Sequence, residues 1–167
     1  MTKESKQLTA EELNDKYLKI IDKEFDWKVW QYKGIWCIIN RHSDWKHLNA
    51  YIGLPDEVDL GSHVYEHPWF QVEDNGYFDE GCLHVFVNVH GGITWGPERT
   101  DNGFMSFHIN KPLTWIGFDC SHSGDWTPGH QSGEYRTIDY VTQECNKVVD
   151  DYYESFLDTL KAQIEEL

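Results

Sequence analysis

Seven side chains near the C-terminus, Ile138, Val141, Cys145, Val148, Tyr152, Phe156 and Leu160, recur at spacings of three and four residues. That period puts them on one stripe of a helix of about six turns. A stripe that long has to be covered, and one face of a β-sheet is the natural cover. The rest of the chain must then supply a sheet, and it offers one. Gly34 to Asn40 is too short and too β-branched for a helix and reads as a strand, and Leu48 to Gly53 as a shorter one. Leu83 to Val89 alternates cleanly: Leu83, Val85, Val87 and Val89 face one way, and His84, Phe86, Asn88 and His90 the other. Gly91 and Gly92 break or bulge the chain, after which Ile93 to Trp95 resume pairing. Phe104 to Ile109 and Leu113 to Cys120 complete the set, while residues 54–81, with Pro55 and Pro68, read mostly as loop with one irregular strand.

At the other end, Thr9 and Glu12 have the spacing of a capping box, and Leu13, Tyr17, Ile20 and Ile21 form a helical stripe that fades near Phe25. The order helix, sheet, helix with short connections predicts an α+β fold: a mainly antiparallel sheet of about five or six strands packed against the long C-terminal helix. An N-terminal helix is added to it. No linker, repeat or low-complexity tract divides residues 1–167, so a single domain is expected.

Charge narrows the partners. The chain carries 29 acidic against 14 basic side chains, a net charge of -15. Between Lys46 and Arg99 there is no Lys or Arg, while Asp56, Glu57, Asp59, Glu66, Glu73, Asp74, Asp79, Glu80 and Glu98 accumulate. Such a surface repels phosphate backbones, which argues against direct nucleic-acid binding and leaves a basic partner protein open. No apolar run approaches the roughly 18 residues of a membrane span, and the first residues lack the apolar core of a signal peptide. Membrane partners are therefore not expected. The cysteines Cys37, Cys82, Cys120 and Cys145 include no CxxC pair and read as buried free thiols of a reducing compartment.

The densest chemistry lies where the strand ending in Trp115-Ile116-Gly117-Phe118 runs into Asp119, His122 and Asp125. Polar groups at a strand exit sit where loops on a rigid scaffold concentrate function. His90 ends its own strand on the side away from Val85 and Val87, so neighbouring strands would bring His90, Asp119, His122 and Asp125 to one concave spot. Walker, dinucleotide-binding and nucleophile-elbow motifs are absent.

His90-Gly91-Gly92-Ile93-Thr94, the block from Trp115 to Asp125, Tyr135-Arg136 and Tyr140-Val141-Thr142-Gln143-Glu144-Cys145 together resemble a family of small proteins encoded mainly by bacteriophages and prophage-bearing bacteria. Its pattern runs roughly HGG-[IL]-[TS], then GFDC-x-H-x-GD, then YR-x-x-x-YV-x-x-E, and the resemblance covers residues 34–150. It brings no activity with it. It implies a phage or prophage origin, the cytoplasm of a bacterial host, and an accessory role of the counter-defence kind.

Several readings of the site stay open. Two imidazoles and two carboxylates are plausible ligands for a divalent metal, although no metal motif of known spacing occurs. His122 tuned by Asp119 or Asp125 could serve acid–base catalysis. A Cys120–His122 nucleophile pair is conceivable but disfavoured. Asp and His at a strand exit can also do no more than hold a long loop in shape. The last reading is a ligand pocket without chemistry, formed by His90, Gly91, Gly92, Thr94, Trp95, Asp119, His122, Asp125 and Arg136. In it Trp45, Trp69 or Trp95 would supply stacking surfaces, Arg41, Arg99 or Arg136 charge-assisted bonds, and the glycine pair backbone donors for an anion.

The expectation drawn from these residues is a binding protein that sequesters a small, nucleotide-like, anionic host signal. A metal-assisted hydrolase at the same site and an acidic inhibitor of a host defence nuclease are the alternatives. A homodimer through the long helix is a further expectation, because Tyr153 and Leu157 lie beside its main stripe.

Overall fold

The computed structural model describes residues 7–59, 64–70, 87–100 and 113–165, with backbone alone for residues 98–100. Helix α1 spans Ala10–Ile21 and opens as its sequence requires: Thr9 Oγ1 accepts from Glu12 N–H at 3.2 Å, and Glu12 Oε2 accepts from Thr9 N–H at 2.8 Å. Strands β1 (Trp27–Tyr32), β2 (Ile35–Arg41) and β3 (Leu48–Leu54) follow, then a two-stranded ribbon of β4 (Glu57–Asp59) and β5 (Val64–Glu66) and a 3-10 turn over Pro68–Phe70. Strands β6 (Trp95–Thr100) and β7 (Leu113–Asp119) and helix α2 (Ile138–Glu165) complete the described elements.

The five-stranded sheet has the order β1-β2-β3-β7-β6, and every pairing in it is antiparallel. The α+β architecture is as the sequence predicts. Helix α2 lies on one face of the sheet and buries Val141, Cys145, Val148, Val149, Tyr152 and Phe156 against Cys37, Ile39, Leu48, Ala50, Ile52, Leu54, Ile116 and Phe118. The opposite face holds a smaller cluster of Ile38, Leu113 and Trp115, with Trp36, Tyr51 and Trp95 packed on it. Aliphatic and aromatic residues on both faces explain why β7 is buried along Leu113–Phe118 instead of alternating.

Several expectations change. Strand β1 was not anticipated, because Trp27–Tyr32 mixes Lys28 and Gln31 into its pattern and reads as a continuation of the helix exit. Within residues 54–81, the described part holds two short paired strands where one was expected. For the strand expected at Leu83–Val89, residues 83–86 lie outside the described residues, and Val87–Val89 carry no strand pairing. Val87 and Val89 are nevertheless buried while Asn88 is exposed, so the expected alternation persists in the packing. The strand expected at Phe104–Ile109 lies outside the described residues.

Helix α1 does not join the sheet. Its Tyr17 packs with Trp126 and Tyr135 of the long loop between β7 and α2. Trp126 Nε1–H donates to Asn14 Oδ1 at 2.7 Å, and Asn14 Nδ2–H donates to Gln131 Oε1 at 2.7 Å. Just beyond the helix, Glu24 accepts from Arg41, from Tyr135 OH and from the Ile138 N–H that opens α2. An unpaired helix N–H is costly when buried, so Glu24 ties the start of α2 to the end of α1. The 121–134 loop is thereby clamped from both sides.

Candidate binding site

One end of the sheet gathers the polar residues. Asp119 closes β7 opposite Asn49 of β3, Thr94 N–H donates to Gly117 O at 2.9 Å, and Cys120 N–H donates to Leu48 O at 2.9 Å. These bonds bring the Gly91–Thr94 turn, the 42–47 turn and the 121–134 loop to the same edge.

His90, Asp119, His122 and Asp125 do converge there, in two unlike halves. The inner half centres on Asp125, whose side chain is 1% exposed. Its Oδ1 accepts from Arg136 Nε–H at 2.8 Å, and its Oδ2 accepts from His90 Nε2–H at 2.8 Å and from His122 N–H at 3.0 Å. Burial alone would raise the Asp125 carboxyl pKa, but the bonds from Arg136, His90 and the His122 backbone hold it below the ordinary value. His90 Nδ1 lies 3.0 Å from Tyr140 OH, and the His90 backbone N–H donates to Glu144 Oε2 at 2.8 Å. Arg136 also pairs with Glu134 at 3.0 Å and lies 5.0 Å from the Tyr140 ring centroid. The polar atoms of this half are occupied by one another, and the network holds the loop on the helix.

The outer half is open. Asp119 and His122 side chains are 29% and 30% exposed. Thr94 Oγ1–H donates to Asp119 Oδ2 at 2.9 Å, and Ser121 N–H donates to Oδ1 at 2.9 Å. His122 Nε2 stands 3.6 Å from Asp119 Oδ1, beyond hydrogen-bond reach, and is buried with no hydrogen-bond partner. His47 Nδ1 is orphaned in the same way. Burial lowers the His47 pKa, Asp119 and a side-chain hydrogen bond with Asn49 oppose it, and His42 and His122 add to it. Gly91 forms the wall: its φ is 67°, and a Cβ there would overlap the His122 ring.

The other candidates separate clearly. Gly92 N–H donates to Val89 O at 2.9 Å, so that donor closes the turn and is not presented to an anion. Trp95 packs edge-on against Tyr51 on the sheet face away from α2, and Trp69 is buried beside His67. Trp45 is 56% exposed, on the turn that carries His47, and its ring edge lies against Gly129 of the 121–134 loop. Arg41 is buried among Glu24, Asp26, Tyr135 OH and Lys46 O, and is not available to a ligand. The Arg99 side chain lies outside the described residues. Cys120 sits in the core, where burial pushes its thiol pKa far up, which removes the Cys120–His122 pair as a nucleophile. Cys37, Cys120 and Cys145 are free and buried, as expected, and Cys82 lies outside the described residues. Among the described residues, no group of three or more His, Cys, Asp and Glu side chains is placed to hold a metal ion, and no helix is long and apolar enough to cross a membrane.

Sequence reasoning left out Tyr140, Glu144 and His47. The first two were legible: Tyr140 and Glu144 stand four residues apart, the spacing of one helix face, and both meet His90. His47 gave no such signal, because only the β3–β7 register, which sets Asn49 opposite Asp119, brings its turn to that end of the sheet.

The fold and the site together define an α+β protein with a half-open His–Asp cleft at one end of an antiparallel sheet. The chain matches no protein-family model, no curated protein and no solved structure.

Proposed function

We propose that the chain is a binding protein for a small, nucleoside-like ligand taken up at Asp119, His122 and His47. The observation that carries this reading is the pair of buried imidazole nitrogens without partners: His122 Nε2, 3.6 Å from the part-exposed Asp119 carboxylate, and His47 Nδ1, on the turn that leads into the strand paired with it. Buried polar atoms are nearly always hydrogen-bonded, so two orphans at one spot call for a missing partner. A ligand offering hydroxyl or amino groups suits them: it donates to the Asp119 carboxylate, as sugar hydroxyls do, and exchanges hydrogen bonds with the two rings. Trp45, exposed on the same turn as His47, offers a flat face for a base.

The anionic part of such a ligand gains little here. Arg136 is engaged by Asp125 and Glu134, Arg41 is buried, and Gly92 N–H is bonded within its own turn. Recognition therefore runs through the neutral sugar and base, with any phosphate directed to solvent. In the counter-defence role that the family resemblance implies, the ligand is a host nucleotide signal and the protein acts by sequestering it.

Native mass spectrometry of protein purified from a bacterial host tests this. The expected result is a removable excess mass, in the range of a nucleoside or nucleotide, that disappears in His122→Ala. An unadorned wild-type mass, together with no thermal shift from millimolar adenosine, guanosine or their monophosphates, overturns the reading. The 3.6 Å approach of His122 to Asp119 also favours a second reading, in which the pair acts as a general base toward a bound ester or phosphoester. Release of product from the bound species over time, abolished in Asp119→Asn, distinguishes it from sequestration.

A further inference from the structure

The unpartnered nitrogen of His47 has a fixed polarity, because a relay of side chains across the sheet sets its tautomer. Asn49 Nδ2–H donates to Asn40 Oδ1 at 2.9 Å, and Asn40 in turn bonds the Tyr51 hydroxyl. That leaves the Asn49 carbonyl oxygen for His47. The sense of the His47–Asn49 bond agrees: it favours the protonated ring, so the ring donates and the amide oxygen accepts. Since Nδ1 has no partner, the donating nitrogen is Nε2. A neutral ring with its proton on Nε2 carries a lone pair at Nδ1, and His47 therefore offers the cleft an acceptor.

Asp119 presents the same polarity across the sheet. Asn49 and Asp119 stand directly opposite each other on β3 and β7, a pairing that sets β-carbons about 5 Å apart. Thr94 Oγ1–H and Ser121 N–H each fill one site on the Asp119 carboxylate, whose two oxygens accept about four hydrogen bonds in all. His122 Nε2, 3.6 Å from Oδ1, is too far away to bond it, yet one oxygen atom placed between them reaches both. A carboxylate at that distance favours the tautomer with its proton on Nε2. A hydroxyl fits the gap, because it donates to the carboxylate and accepts from the ring. An ammonium group has no lone pair for the ring N–H, and a phosphate dianion has no proton for the carboxylate.

We infer that the ligand end read by this cleft is a vicinal diol, one hydroxyl bridging Asp119 and His122 and its neighbour donating to His47 Nδ1. The inference rests on the nucleoside reading above and narrows it to ribonucleosides over deoxyribonucleosides, with His47 setting the preference. Two acceptors on paired segments, Asp119 on β7 and His47 on the turn into β3, match two donors on adjacent carbons. A ligand lacking either hydroxyl seals one acceptor away from water without a partner, and an unmet buried acceptor costs more than an ordinary hydrogen bond contributes. The net charge of -15 acts in the same direction, since it favours a neutral reading end over an anionic one.

Isothermal titration of the wild-type protein with adenosine, guanosine and their 2′-deoxy and 3′-deoxy forms tests this. The ribonucleosides are expected to bind about tenfold to a hundredfold more tightly than either deoxy form. His47→Ala is expected to bring the ribonucleoside down to the level of one deoxy form and so close that gap. A merely structural role for His47 would weaken both alike and keep the gap, which overturns its assignment. Equal binding of ribo and deoxy forms by the wild-type protein overturns the diol and leaves the nucleoside reading standing. Binding of none of them removes both. Free ribose separates the sources of the diol: affinity equal to that of the nucleosides keeps the diol and removes the base from the reading.

Discussion

Replacing Asp125 with Asn separates the structural half of the cleft from the open half. In the native protein both carboxylate oxygens are filled, by the Arg136 guanidinium, the His90 ring and the His122 backbone, with Asp125 itself 1% exposed. An amide offers one oxygen and one NH2. Whichever way it turns, its NH2 faces a donor: Arg136 in one orientation, the His90 and His122 N–H groups in the other. At least one charge-assisted bond is lost, and a buried donor is left unpaired. Breaking a buried pair from one side costs about 3–5 kcal/mol. Arg136, 21% exposed, can recover some hydration, which argues for the lower end, about 3 kcal/mol. Urea unfolding followed by tryptophan fluorescence reads this as a drop in midpoint at unchanged slope. It corresponds to a fall in Tm of about 6–12 °C for a chain of this size. Acid titration gives a second readout. Because the folded carboxyl pKa lies below the ordinary value, Asp125 contributes stability above the unfolded pKa near 4 and loses it as pH falls through the folded one. The Asn variant lacks that acid limb. A loss under about 1 kcal/mol, with the acid limb intact, would refute the account of Asp125 as the anchor of the loop.

Gly91→Ala forces both a left-handed φ of 67° and an overlap with the His122 ring, so it should destabilise by about 2 kcal/mol. It should also displace the imidazole, seen as a shifted His122 resonance by NMR. His122→Ala removes a half-open side chain with an unbonded Nε2 and should change stability by less than about 1 kcal/mol in urea while the bound mass is lost. His67 bonds Tyr152 O through Nε2 and Trp69 N–H through Nδ1, and burial lowers its pKa to about 4 although the bond to Tyr152 O opposes this. Its contribution is complete above pH 6.5 and is lost as pH falls toward 4, about 3 kcal/mol in all; a urea midpoint that stays flat from pH 7 to 4.5 contradicts this.

The sequence was most legible where one physical demand acted alone. The stripe from Val141 to Phe156 lies on the sheet because nothing else on the chain could cover it, and Thr9 caps its helix through the bonds its spacing implied. β2, β3 and β7 were readable because buried, β-branched runs have few other uses. β1 was not, because Lys28, Trp30 and Tyr32 alternate toward a helix more than 100 residues away, whose partners Thr142, Asn146 and Asp150 no local window contains. The same limit applies to α1, whose Tyr17 packs on Trp126 and Tyr135 of the distant loop. At the cleft, the sequence located the polar cluster but could not divide it. His90, Asp125 and Arg136 look as reactive on paper as Asp119 and His122. Only the count of hydrogen bonds to each atom separates them.

That division bears on what the cleft can do. A network such as Arg136–Asp125–His90–Tyr140 makes a stiff support, because its ionisable groups are already paired and moving any one of them strands another. His122 rests on that support through its backbone N–H, bonded to Asp125, and through Gly91 at its flank. Its ring is therefore positioned by groups that do not themselves face a ligand. His47 lies on the separate turn that leads into β3, so the two orphaned nitrogens belong to different segments, and a ligand that satisfies both bridges them. Such bridging ties the 42–47 turn to the 121–134 loop, which already meet where the Trp45 ring edge lies against Gly129. Occupancy should then show as slowed amide exchange in both segments together, a coupling that a ligand bound to either one alone would not produce.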